Sequence, residues 1–293
     1  MVLPGTIWLL LFSYLPMFGT VIAFKNFRYD SNGFISSLLN SEWVGLENFK
    51  FLFNTNDAWI ITRNTVLYNL VFIIVGLILA VFVAIVLSEL ANKRLSKIYQ
   101  TGMLFPHFLS WVVVSYFVFT FLSVDRGLLN NIIVWFGGDP ISWYNEAKYW
   151  PSIIVLTSMW KGVGYGSIVY LAAIVGIDRN YYEAAMIDGA NKWQQIRNIT
   201  IPMITPLIII LTILNIGKIF SADFGLFYQV PRDSGPLYSV TNVIDTYVFR
   251  GLTTMGDISM STAAGLYQSI VGFTLVMLTN YLVRKVNKEY ALF

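Results

Sequence analysis

Residues 182–206 read YEAAMIDGANKWQQIRNITIPMITP, a polar interval between two apolar runs long enough to cross a bilayer. Asn180 is placed to cap a helix whose third position is Glu183, and Asn191 to cap a second with Gln194 at its third position. Gly189 falls between them, where a reversing chain needs a residue tolerant of positive φ. The spacing predicts two short helices joined by a tight turn, with Pro202 and Pro206 leading into the next apolar run. Trp193, Ile196 and Ile199 recur every three residues and give the second helix one apolar side. Such a hairpin is a stiff knob at a membrane surface, shaped for a soluble partner to grip. The plainer alternative is an ordinary capped hairpin.

Working outward, the 293 residues are 56% hydrophobic and 12% charged, where a soluble domain carries about a quarter charged residues. With a mean hydropathy of +0.64, this is the composition of a polytopic membrane protein. Roughly 20 apolar residues cross the hydrocarbon core as a helix. Six runs qualify: 3–24, 66–88, 102–122, 152–175, 203–224 and 262–283. The expectation is one all-α domain over 1–293. No basic segment or small-residue cleavage site precedes the first run, which reads as an anchor and not a signal peptide. There is no cysteine, so no disulfide framework. The net charge of +3 comes without a basic cluster interleaved with aromatics, which argues against nucleic acid.

Six crossings put both termini on one side. The intervals 89–101 and 176–201 and the tail from Arg284 hold nine Lys and Arg against eight in the other three intervals. Those eight are spread over about twice the length, whereas the nine adjoin span ends, where the positive-inside bias acts. The termini and the hairpin are therefore expected on the cytoplasmic side. The outward intervals 25–65, 123–151 and 225–261 are rich in turn formers and aromatics, such as Gly137-Gly138-Asp139-Pro140 before Trp143 and Tyr144. They read either as interfacial anchors or as a docking surface for an external protein.

The chain holds one histidine, His107, and no H-E-x-x-H or G-x-x-x-x-G-K-[ST]; Gly217-Lys218 lacks the upstream glycine of a phosphate loop. No catalytic or metal role is expected, and His107 beside Pro106 reads as a polar residue at a kink. Polar groups inside the runs are the second signal. A lysine near mid-membrane costs at least about 2.5–3.5 kcal/mol, so Lys161 needs a partner or a wet cavity. Lys218 follows Asn215 by three residues and precedes Asp223 by five. Pairing of Lys161 or Lys218 with Asp223 is one reading; lysines facing a substrate path is the other. Glycines at 162, 164 and 166 let backbones approach or a helix loosen at membrane depth.

E-A-A-x-x-D-G-A, then nine intervening residues after Gly189, then I-T-I-P from Ile199 to Pro202, resembles the coupling-loop motif of binding-protein-dependent ABC importer permeases. The resemblance implies a six-span permease fold, related to the maltose transporter, with a cytoplasmic coupling loop at 176–202. It implies that Glu183, Ala184, Ala185, Asp188, Gly189, Ala190 and Trp193 couple the chain to an ATPase subunit, lining or shaping the contact, with Gly189 serving the turn and not the contact itself. Further phrases resemble the lipo-oligosaccharide and polysaccharide branch of the sugar permeases: 43–49 (WVGLENF), 106–113 (PHFLSWVV), 160–167 (WKGVGYGS) and 245–250 (DTYVFR). By that resemblance Gly162, Tyr165, Asn215, Ile219, Phe220 and Asp223 lie by the substrate path; Lys161 and Lys218, from the cost of their charges, and Trp160 beside Lys161 complete the candidate set, with Tyr267 and Gln268 weaker. The implied partners are a second permease subunit (a different chain in many relatives), two ATPase subunits carrying ATP and Mg, and an extracytoplasmic solute-binding protein. The implied cargo is an oligo- or polysaccharide, either an acidic glycan such as alginate or a neutral one. Two rivals are an ion-coupled transporter, for which Asp223 is the only acidic residue within the six runs, and a non-transporting scaffold, against which the costly Lys161 argues.

Overall fold

The computed structural model describes residues 2–31, 33–50, 56–286 and 291. The first helix, α1 (Leu3–Phe24), tightens to a 3-10 form over Leu15–Phe24 and feeds a two-stranded antiparallel ribbon. Its strands, β1 (Lys25–Asn26) and β2 (Glu42–Trp43), enclose α2 (Phe34–Asn40), with Lys25 paired to Trp43. Then come α3 (Asn56–Ser88), α4 (Lys93–Phe108), α5 (Trp111–Leu122) and α6 (Leu128–Trp135). Next are α7 (Trp150–Val175), α8 (Arg179–Ile187) and α9 (Lys192–Ile216). The chain ends with α10 (Phe224–Gln229), α11 (Tyr238–Thr241), α12 (Ile244–Arg250) and α13 (Ile258–Val286).

Among the described residues four helices are long and apolar enough to cross a membrane: Leu3–Phe24, Asp57–Ser88, Lys192–Ile216 and Ile258–Lys285. Two bent pairs raise the count to as many as six: Arg94–Phe108 with Trp111–Leu122 at 99°, and Ala147–Val175 with Arg179–Ile187 at 68°. The run 102–122 is thus two helices, not one rod. Pro106 has no N–H for the last turn of α4, Leu109 turns extended, and the Ser110 hydroxyl accepts from the Val113 amide to start α5 afresh.

The run 203–224 is corrected at both ends. Its helix begins at Lys192, because a π-helical stretch at Ile196–Thr200 absorbs the donor missing at Pro202. It stops at Ile216, and residues 217–223 leave helical geometry. Unpaired backbone is costly away from water, so an unwound stretch needs side-chain partners. The Asn69 amide of α3 donates to the carbonyls of Ile219 (3.0 Å) and Ser221 (3.3 Å), and Gln268 of α13 donates to that of Phe220 (2.7 Å). The Ala222 N–H donates to the Asp245 carboxylate (2.7 Å), which also takes Gln268 (3.2 Å).

Among the described residues three apolar clusters position the helices, the smallest being Ile61, Ile244 and Ala264 between α3, α12 and α13. Of the other two, one gathers Tyr68, Trp150, Ile154, Phe227, Val230 and Leu237 where α3, α7 and α10 meet the 230–243 segment. The other joins Ala80 and Ala84 of α3 to Tyr170 and Ile174 of α7 and Ile204 of α9. Outside them the helices stay apolar at the surface, as a chain solvated by lipid should.

Candidate functional site

The hairpin at 176–202 is built much as its sequence suggests, with one change of cap. Asp178, not Asn180, caps α8: its Oδ1 accepts from the Asn180 amide at 3.0 Å. Asp178 wins because it holds the extended cap conformation directly after the turn at Gly176-Ile177, which puts Asn180 inside the helix. The helix closes with the Ala190 N–H on the Ala185 carbonyl (2.8 Å) and the Gly189 N–H on that of Met186 (3.1 Å). This double closure needs a left-handed residue, and Gly189 supplies it at φ +80°. Asn191 then caps α9 in a reciprocal box with Gln194 (2.9 Å and 2.8 Å).

What the hairpin leaves outside is as informative. Glu183, Ala184, Asp188, Gly189 and Trp193 are exposed, and Ala185 and Ala190 are half-buried. Among the described residues Glu183 makes no side-chain hydrogen bond or ion pair, so the capping role suggested by its position is absent. Trp193 is 68% exposed and Ile187 87%, an apolar underside that this chain does not cover. The base is fixed instead: Tyr182 and Thr200 share a hydroxyl bond of 2.9 Å, and Lys192 pairs with Glu89 at the end of α3 (2.9 Å).

Of the nine path candidates, Gly162, Tyr165 and Asn215 come together. They line a cleft of about 380 Å³ between α3, α7 and α9, with Phe72, Met159 and Thr212. Tyr165 stacks on His107 (4.5 Å, 10°), which pins the phenol at the cleft wall. The three glycines differ in role. Gly162 faces open space, a Cβ on Gly166 would press the Ala80 methyl at 3.3 Å, and one on Gly164 would overlap the Met103 carbonyl.

Trp160 and Lys161 point elsewhere. Trp160 lines a separate apolar cleft of about 490 Å³ with Phe105 and Phe117. The Lys161 ammonium donates to the carbonyls of His107 (2.7 Å), Leu109 (2.8 Å) and Pro106 (3.4 Å). It therefore closes the end of α4 at the break, where a cation also meets the negative end of the helix dipole. Among the described residues neither lysine forms an ion pair with Asp223. Trp111 stands between the two: its indole N–H donates to Asp223 (2.9 Å), and Lys161 sits over its ring at 5.2 Å. Asp223 lies beyond the helix and caps α10 through the Leu226 amide at 3.3 Å.

Lys218, Ile219 and Phe220 all fall on the unwound stretch after α9. Lys218 is exposed, and Phe220 meets Tyr267 edge-on at 5.9 Å. Three organising residues escape a reading of the sequence: Asn69, Trp111 and Asp245. An asparagine inside the run 66–88, three residues from its start, was itself a signal, since intramembrane amides seek partners.

The Lys161 geometry yields a direct test. Lys161→Met leaves the His107 and Leu109 carbonyls without a donor, that of Pro106 still taking the Leu109 N–H (3.2 Å), at an expected cost of about 2–4 kcal/mol, while Lys161→Arg keeps most of the stability. Thermal unfolding of the detergent-purified chain measures this. Unchanged melting together with lost transport would instead mark Lys161 as a substrate contact.

Comparison with known proteins gives consistent results. Residues 72–288 match the family model described as "binding-protein-dependent transport system inner membrane component". The chain is 37% identical over 289 residues to the polygalacturonan/rhamnogalacturonan transport system permease protein YteP of Bacillus subtilis (strain 168), covering 99% of this chain and 88% of that one. It superposes with a TM-score of 0.88 and 32% identity on a chain of a bacterial ABC transporter involved in the import of the acidic polysaccharide alginate, covering 98% and 94%. A second structure of a bacterial alginate ABC transporter, in complex with an alginate-pentasaccharide-bound periplasmic protein, matches at a TM-score of 0.87, 32% identity and the same coverage.

Proposed function

We propose that this chain, which belongs to the family of inner-membrane components of binding-protein-dependent transport systems, forms one half of the path of an ATP-driven importer of acidic oligo- or polysaccharide. It is a permease subunit of the sugar-transporting kind, not an enzyme. The other half is a second permease chain, expected to be a different one. Two ATPase subunits bind ATP and Mg, and a solute-binding protein delivers the glycan from outside the bacterial cytoplasmic membrane. The termini and the hairpin face the cytoplasm, with Glu183, Ala184, Ala185, Asp188, Ala190 and Trp193 coupling to the ATPase and Gly189 holding the turn that presents them.

The observation that carries this reading is continuity. The exposed hairpin runs without a break into α9, and Asn215 in the last turn of that helix lines the cleft with Gly162 and Tyr165. Force applied at one end of a helix reaches a binding cleft at the other. Closure of the ATPases on nucleotide moves the hairpin and opens the cleft outward; loss of nucleotide resets it. In the cleft the Tyr165 ring suits the apolar C–H face of a pyranose, and Asn215 suits its hydroxyls. Lys161 is engaged with backbone, so the preference for acidic cargo leans on the exposed Lys218 and on the acidic glycans named for the relatives.

Reconstitution of the assembled transporter with its binding protein tests the proposal. Uptake of an oligogalacturonate is expected with ATP on the ATPase side and no ion gradient. Uptake that follows an ion gradient without ATP would overturn the importer reading, and equal uptake of a neutral glucan of the same length would overturn the acidic one.

A further inference from the structure

Three of the described helices end in the same way. In α6 the Gly138 N–H bonds the Ile133 carbonyl (2.9 Å), the Gly137 N–H bonds that of Val134 (2.9 Å), and Gly137 is left-handed at φ +82°. α8 closes with a six-to-one bond from Ala190 to Ala185 and a five-to-two bond from Gly189 to Met186, and Gly189 takes the left-handed position. α10 closes identically, with the Asp233 N–H on the Tyr228 carbonyl (3.2 Å) and the Arg232 N–H on that of Gln229 (3.1 Å). There the left-handed position is held by Arg232 at φ +57°, and Asp233 follows at φ +49°. A side chain at this position costs free energy that glycine does not incur. Strain of this kind persists where the surroundings enforce it and points to a role for the strained residue.

The surroundings enforce it here. Arg250 of α12 donates to the Asp233 carboxylate (2.7 Å) and to Asn242, and its guanidinium lies 4.3 Å from the Tyr238 ring centre. Tyr238 donates to the same carboxylate at 3.1 Å. Asp233 is thereby neutralised by Arg250, which leaves its neighbour free. Among the described residues Arg232 enters no ion pair. Its guanidinium lies over the Phe119 ring at 4.3 Å. The nearby Tyr144 phenol adds no negative charge, because burial pushes it up to about 12 against the pull of Arg232.

Arg232 borders a cleft of about 210 Å³ between α5 and α10, with Tyr116, Ser115, Tyr228, Gln229 and the Arg250-paired Asp233 on its walls. The place is set by the two helices, which start together at the Trp111–Asp223 bond and run on from it side by side. The cleft thus lies beyond the Trp111–Asp223 contact, on the side of the outward interval 225–261. Aromatic walls, an amide and an uncompensated guanidinium are the chemistry that recognises a sugar ring bearing a carboxylate.

We propose that this cleft is an entry subsite for one uronate residue of the glycan, with Arg232 binding its carboxylate and the Tyr116 and Tyr228 side chains flanking the ring. The proposal rests on the acidic-glycan reading above and adds a place where the charge is read. Arg232 is presented there by a helix end that would be more stable with glycine.

The test uses that last point. Arg232→Gly removes the charge while supplying the residue the backbone favours, so the variant cannot fail merely by misfolding. In the complete reconstituted transporter, uptake of an oligogalacturonate is compared with that of its fully methyl-esterified form. Arg232→Gly is expected to narrow the preference for the charged form by about tenfold in kcat/KM, with a melting temperature equal to or above that of the parent. Arg232→Lys is expected to fall between, since it keeps the charge without the two-pronged geometry. A parent that prefers the charged form and a glycine variant that prefers it equally would overturn the subsite alone. A parent that takes up neither form, or both equally, would overturn the acidic-glycan reading and the subsite with it.

Discussion

A transporter carrying Gly189→Pro will hydrolyse ATP without moving glycan. The Gly189 backbone sits at φ +80°, and proline is locked near −65°. The substitution also deletes the N–H that closes α8 onto Met186. The turn must open, and α8 and α9 lose their fixed angle. Insertion into the membrane depends on the apolar runs, which the change does not touch. The expected outcome is normal amounts of assembled complex, ATP turnover within about threefold of the parent, and transport reduced by at least about tenfold. Proteoliposome uptake and phosphate release, measured on one preparation, decide it. Intact coupling in that variant would remove the hairpin from the mechanism.

The second large effect is expected at Gly164. A single methyl there overlaps the Met103 carbonyl and crowds the Leu104 N–H at 3.1 Å, and both are backbone atoms that no rotamer change can clear. Gly164→Ala must push α7 away from α4 at the very place where Lys161 closes the helix end. Overpacking of this sort costs about 3 kcal/mol or more. Loss of monodisperse protein in size-exclusion chromatography is the expected readout. Gly162→Ala is the control: two residues away, its Cβ meets nothing within 4 Å, and the variant should purify like the parent. Equal behaviour of the two variants would contradict the packing described here.

The two positions also show what the sequence makes legible and what it does not. The hairpin could be read because its signals are local: the Asn191–Gln194 box spans four residues, and the left-handed turn asks for the glycine it has. Even there the cap was read two places too late, at Asn180, because the turn that makes Asp178 the cap lies before it. The breaks could not be read, because the groups that satisfy them come from far along the chain. Lys161 reaches carbonyls more than fifty residues earlier, and Asn69 reaches those of 219 and 221 from 150 and 152 residues away. An apolar run looks the same whether it stays helical or is unwound by a distant amide. The path candidates came partly from resemblance and partly from charges inside apolar runs, yet of them the cleft gathers only Gly162, Tyr165 and Asn215.

The hairpin is attached to the membrane part by two joints of unequal stiffness. Toward α7 the chain turns through 68° across a three-residue gap; toward α9 there is no gap, since Lys192–Ile216 is one helix. A rod from Lys192 to Asn215 is about 35 Å long at 1.5 Å per residue. Tilting its foot by about 10° would swing Asn215 by roughly 6 Å, the scale of a sugar ring, while the jointed side absorbs the same motion as a change of angle. One wall of the cleft would then travel while the other stays, so the permease half described here works as a crank against a fixed jaw.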